Sequence, residues 1–134
     1  MASKCYQAVN ETRQTIVAER VRMANTHWTR FWGLMGKPCL PPGDGLWLEP
    51  CADIHSFFMR FPFDAAFIDR SGKILRCVEA MRPWRASPWV RGSRVVLELP
   101  AGALAQSACQ PGDIITLGPG KNQNEENQNH ERRN

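Results

Sequence analysis

The chain has 134 residues, 43% of them hydrophobic, and a formal charge of +4. That length fits one domain with an ordinary core, which needs neither disulfides nor metal to hold it together. Lys and Arg are spread along the chain, several beside acidic residues, rather than gathered on one stretch, so nucleic acid is not the expected partner.

The five cysteines, Cys5, Cys39, Cys51, Cys77 and Cys109, are odd in number and form no CxxC pair, which argues against a disulfide framework. The first residues, MASKCYQAVNETRQT, contain no apolar segment of the signal-peptide kind, and no run approaches the ~20 apolar residues of a membrane helix. A soluble, cytoplasmic protein with reduced thiols is expected. Ten Gly and ten Pro punctuate the sequence without repeating, which favours short strands and many turns over long helices.

In chain order, residues 1–12 are polar and expected as a lead-in. Residues 13–23 are rich in β-branched side chains with poor helical periodicity, which predicts a strand irregular near Glu19-Arg20. Trp28, Phe31, Trp32 and Met35 recur at helical spacing, Asn25 or Thr26 can cap, and Gly36 and Pro38 stop the pattern, so a short helix is predicted over 26–35. Residues 36–45 read as a loop and GLWLE as a strand. Pro50 to Asp53 form a turn holding Cys51. Ile54 to Arg60 look extended, with His55, Phe57 and Met59 on one face and Ile54, Ser56, Phe58 and Arg60 on the other.

Phe61-Pro62 breaks that strand. Asp64–Asp69 and residues 73–81 form a hairpin around RSGK, with Gly72 free to take positive φ. The second arm alternates Ile74, Val78 and Ala80 against Leu75, Cys77 and Met81. Residues 82–93 are a long loop carrying Trp84, Trp89 and three Arg. In RVVLELP, Val95, Leu97 and Leu99 share one face, and Val96 and Glu98 the other. AGALAQSA is a helical turn, QPGD a tight turn and DIITLGP the last strand. From Lys121 onward no apolar residue remains, which predicts disorder. The expected organisation is one β-rich domain over 13–118 with a polar tail over 119–134. The expected fold is mainly β: an antiparallel β-sandwich or partly closed barrel with two short helices.

GLMG at 33–36, GLWLEPC at 45–51, IHSFFMRFPFD at 54–64, AFID followed by SGK, RVVLELPAG and PGD together resemble the family called domain of unknown function 192, also known as uncharacterised protein family 0127. Their order and spacing fit over residues 30–118, about two thirds of the chain. Two positions depart from the family pattern: Ser56 stands where Thr is expected and keeps the hydroxyl, and Phe63 replaces an aliphatic residue. The resemblance implies a jelly-roll-like sandwich, in agreement with the strand pattern, and implies no activity.

The reactive groups concentrate in residues 46–69. Cys and His are a common zinc pair, but Cys51 and His55 lie four residues apart, ~13 Å along an extended strand, so no metal or other cofactor is expected. The same spacing weighs on a Cys51–His55 nucleophile pair with Asp53 or Glu98 orienting the imidazole, and no Gly-rich elbow adjoins Cys51. The plainer alternative makes Cys51 a buried small hydrophobe and His55 a hydrogen-bonded core residue. Arg60 and Asp64 can pair across the Pro62 bend; if Asp64 instead holds a backbone turn, Arg60 is left for an anionic ligand. Glu98 interrupts an apolar strand, so it either faces water or, if buried, finds a partner or changes its pKa. The expected function is a binding module for a small polar or anionic ligand, with His55, Met59, Arg60, Asp64, Trp84 and Trp89 as ligand-binding candidates. A Cys/His-dependent hydrolase or transferase and a protein-interaction domain using the 82–93 loop are the alternatives.

Overall fold

The computed structural model describes residues 5–24, 40–49, 61–82 and 89–120. Among them are seven strands and one short helix: β1 (Tyr6–Asn10), β2 (Thr15–Ala24), β3 (Asp44–Leu48), β4 (Phe63–Ile68), β5 (Ile74–Met81), β6 (Val95–Pro100), α1 (Ala103–Gln106) and β7 (Ile115–Pro119). The predicted helix over 26–35, the predicted strand over 54–60, residues 83–88 of the long loop and the tail from 121 lie outside the described residues.

The strands form a single sheet in the order β5-β4-β6-β3-β2-β1-β7. β2 and β3 pair in parallel and every other pairing is antiparallel. The sheet is therefore mixed, which corrects the expected all-antiparallel arrangement. Nor do the described strands divide into the two sheets of a sandwich or jelly roll, because β6 pairs with β3 on one side and β4 on the other and so joins both halves. The two edges meet instead. Lys73 bridges Ile114, Ile115 N–H donates to Gly72 O at 2.8 Å, and Ile74 exchanges hydrogen bonds with Asp113 and Gly112. Gly72 has φ +92°, and a Cβ there would lie 2.8 Å from Ile115 O, so only glycine allows this approach. Closure at this corner curls the sheet into a half-barrel.

The curl puts side chains from all seven strands into one core: Ala8, Val17, Ala18, Val21, Trp47, Ala66, Ile68, Ile74, Val95, Leu97, Leu99 and Ile115, with Leu104 of α1 and Cys109. A second cluster, Leu48, Phe63, Ala65, Phe67, Met81 and Val96, sits on the opposite face, with Leu40, Phe61 and Val90 packed against it. β4 and β6 are thus covered on both sides, in keeping with the continuous apolar runs in their sequences. Gly45 lies where β3 presses on the first core: a Cβ would meet Leu99 at 3.2 Å and Ala18 and Val21 at 3.4 Å.

Two local outcomes differ from the sequence pattern and a third agrees with it. Residues 6–10, expected as lead-in, form β1 between β2 and β7; its buried Ala8 and Asn10 are too few and too polar to signal a strand. In β5, Ala80 takes φ +50° and adds an extra residue opposite β4, so Met81 joins Val78 on the second cluster's side instead of alternating with it. The irregularity expected near Glu19-Arg20 is present: the register against β1 slips between Ala18 and Val21, and both Glu19 and Arg20 donate their N–H to Gly43 O.

Candidate functional site

Two acidic residues occupy adjacent rungs of the β4–β6 ladder, where Asp64 is level with Leu99 and Ala65 with Glu98. They face opposite sides of the sheet and have different surroundings.

Asp64 is fully buried on the core side. One carboxylate oxygen accepts the N–H of Ala80, in the β5 irregularity, at 2.8 Å. The other accepts the N–H of Gly102 at 3.1 Å and of Leu104 at 3.0 Å. These are N-terminal donors of α1, whose own N-cap, Gly102, offers no side chain. A strand residue forty positions away therefore caps the helix. Asp64 holds backbone, as the second of the two sequence alternatives had it, and Arg60 lies outside the described residues.

A second satisfied carboxylate closes the other end of the α1 segment. Asp113, in the PGD turn, accepts from Asn10 Nδ2 at 2.9 Å, Gln110 N at 3.0 Å and Arg13 Nε at 3.2 Å. The Asn10 hydrogen bond is the largest influence holding its pKa below the ordinary carboxylate value, and Gln110 and Arg13 add to it against the opposing effect of burial. Asn10 also donates to Cys109 Sγ, and Ser107 Oγ lies 3.3 Å from the same sulfur. Cys77 lies close by, its thiol pushed up to about 12, first by burial and then by the neighbouring Cys109. A thiol so protonated is a poor nucleophile. This cluster was not legible in the sequence, because Asn10 stood in an apparent lead-in.

Glu98 points to the second face. It is 7% exposed, and among the described residues it makes no hydrogen bond or ion pair. Cross-strand pairing sets it in a row running Val78, Ala65, Glu98, Leu46, Arg22 from β5 to β2. Phe63, Phe67 and Val96 flank that row. Among the described residues no neighbour replaces the lost water, and burial pushes the carboxyl up to about 8. It is therefore mainly protonated at neutral pH. Arg22 also makes no ion pair or hydrogen bond among the described residues, and it is exposed. By contrast Arg20, two rungs away, binds Asp44 Oδ1 at 2.7 Å and Pro42 O at 2.9 Å.

Of the residues singled out from the sequence, Asp64, Trp89 and Glu98 are described. Cys51, Asp53, His55, Met59, Arg60 and Trp84 lie outside the described residues. Asp64 and Glu98 are not brought together, and Trp89 is 72% exposed. Among the described residues no cluster of three or more His, Cys, Asp or Glu could hold a metal ion, and no helix is long and apolar enough to cross a membrane.

The profile of DUF192, described as "Uncharacterized ACR", matches residues 8–117. The chain belongs to the DUF192 family. Over 115 residues this DUF192 chain is 32% identical to a UPF0127 protein of Thermococcus sibiricus, with 80% of the chain and 71% of the relative covered. Over 118 residues it is 26% identical to a UPF0127 protein of Thermococcus kodakarensis, with 83% and 73% covered. Among solved structures it is similar to a protein of unknown function from Novosphingobium aromaticivorans, with a TM-score of 0.73, 21% identity and 83% of each chain covered. That likeness shows the fold. Within the DUF192 pattern, the Asp of FPFD and the Asp of PGD both satisfy backbone N–H groups here, whereas the Glu of LELP does not.

Proposed function

We propose that this DUF192 domain is a binding module for a small polar ligand, held on the second sheet face with Glu98 as its anchoring group. The observation that carries this is a carboxyl that is 7% exposed and has no partner among the described residues. Burying such a group without compensation costs several kcal/mol in an ordinary core, and a ligand that completes its hydrogen bonding offsets that cost. His55, Met59 and Arg60 belong to the segment joining β3 to β4, the strands on either side of Glu98's own strand. They are the next side chains to test as ligand contacts.

The test is a thermal-unfolding screen of the full chain against sugars, amino acids, amines and small carboxylates, repeated on Glu98→Leu. At least one compound class is expected to raise the midpoint of the native chain and not of Glu98→Leu. An equal rise in both proteins, or no rise with any compound, overturns the proposal.

A second function is favoured by one observation. Trp89, 72% exposed within the 82–93 loop, offers a large apolar side chain to a protein partner. Loss of a captured partner in Trp89→Ala, with small-molecule shifts intact, would support it.

A further inference from the structure

We propose that the ligand is a small zwitterion, its amine on the Glu98 carboxylate, its carboxylate on the Arg22 guanidinium and its apolar body over Leu46. This rests on the binding function proposed above and adds the ligand's chemical class.

Glu98 and Arg22 occupy one cross-strand row on one face, separated only by Leu46 of β3. Two strand spacings set their Cα atoms ~10 Å apart. Neither makes an ion pair or hydrogen bond among the described residues. The pair is also graded in burial: the carboxyl is enclosed and the guanidinium exposed, so a ligand enters amine first and leaves its carboxylate at the rim. A planar guanidinium suits that carboxylate as a bidentate partner. Leu46, half-buried and packed on the second cluster, supplies the floor between the charges.

The other charged side chains presented to this face by the flanking strands leave few alternatives. Arg20 and Asp44 are joined to each other. Arg76, on β5, is two strands from Glu98 and level with Phe67 and Val96, not with Ala65. β4 offers only Phe63, Ala65 and Phe67, and the packed residues Leu40, Phe61 and Val90 are uncharged. Among the described residues Arg22 is therefore the cation in register with Glu98. An amine takes the ionised form of Glu98, so binding near neutral pH expels the carboxyl proton to solvent.

The experiment is calorimetric titration of the full chain with gamma-aminobutyrate, against butylamine and butyrate as single-charge analogues. It is repeated on Arg22→Ala, Glu98→Gln and, as a control, Arg76→Ala. The zwitterion is expected to bind at least ~10-fold tighter than either analogue. Arg22→Ala and Glu98→Gln each lose about that factor, and Arg76→Ala loses none. The heat near neutral pH varies with the buffer's ionisation enthalpy for the native chain and not for Glu98→Gln. Butylamine or butyrate binding as tightly as gamma-aminobutyrate, or an unaffected Arg22→Ala, overturns the zwitterion while leaving a Glu98 ligand in place. If none of the three binds but another screened compound raises the midpoint only with Glu98 present, the zwitterion alone falls. Silence across the whole screen overturns both proposals.

Discussion

Asp64 and Glu98 are one rung apart on neighbouring strands, both buried, and each interrupts an apolar sequence. Asp64 accepts three backbone N–H groups, whereas Glu98 has no partner among the described residues. The difference lies in which side of the sheet each faces. On the core side, α1 and the β5 irregularity leave N–H donors that need an acceptor. On the other side Glu98 meets Leu46, Ala65 and the aromatic cluster, which offer none. An acid in a strand is thus a strut or an unfilled demand depending on the backbone opposite it, and the two cases predict opposite responses to mutation.

The largest effect belongs to Asp64. Asp64→Ala strands the buried Leu104 donor and the part-buried Ala80 and Gly102 donors, at about 1–3 kcal/mol for a buried one and less for the other two. A loss on the order of 4 kcal/mol is expected in urea unfolding, enough to unfold a marginal domain. Asp64→Asn keeps one acceptor and loses less. A change below about 1 kcal/mol in Asp64→Ala would remove its structural role.

Glu98 should behave in the reverse sense. Its folded pKa, about 8, stands above the ordinary 4.5, so the folded chain holds a proton that the unfolded chain has released. The associated stability is full below the unfolded value and is lost as pH rises through about 8. At up to about 1.4 kcal/mol per pH unit, a loss on the order of 2–4 kcal/mol between mildly acidic and mildly alkaline pH is expected. Glu98→Gln should flatten that profile, and Glu98→Leu should be at least as stable as the native chain at alkaline pH. A native profile as flat as that of Glu98→Gln would mean the carboxyl has a partner.

Asp113 extends the comparison on the side of Asp64. Its pKa is lowered by Asn10, Gln110 and Arg13, so its stabilisation is present above the ordinary carboxylate value of 3.8 and is lost as pH falls through the lowered one. Asp113→Asn should weaken the domain near neutral pH and remove part of the acid limb of unfolding, measurable by circular dichroism between about pH 2 and 5. The smallest effect is expected at the exposed pair of Arg94 and Glu49, 3.5 Å apart. Arg94→Ala should change stability by no more than about 0.5 kcal/mol, a baseline against which the buried acids stand out.

Much of the strand content was legible because apolar runs and turn residues are local signals. The hairpin around Gly72, the two faces of VVLELP and the slip near Glu19-Arg20 all follow from short windows. Pairing depends on what lies far away, so the parallel β2–β3 contact and the joining of the edges near Ile114 had no local mark. β1 was missed because Asn10, a polar residue, fills its last buried position and gains its partners from residues 109 and 113. For the site, the sequence singled out Asp64 and Glu98 with both alternatives open for each, and only the donors opposite decided between them. Arg22 gave no signal, because an exposed Arg in a strand becomes informative only once Glu98 is known to share its row.

The pairing of β1 with β7 has a kinetic consequence. Tyr6 lies opposite Pro119, and Gly120 donates its N–H to Cys5 O, so the first and last described residues meet. Contacts of such long sequence separation slow folding, because chain entropy is lost before they form. During synthesis β1 emerges well before β7 and waits with one flank bare until β7 leaves the ribosome. Among the described strands β7 is the one that covers β1, and a chain halted before Ile115 carries an open sheet edge available to other chains.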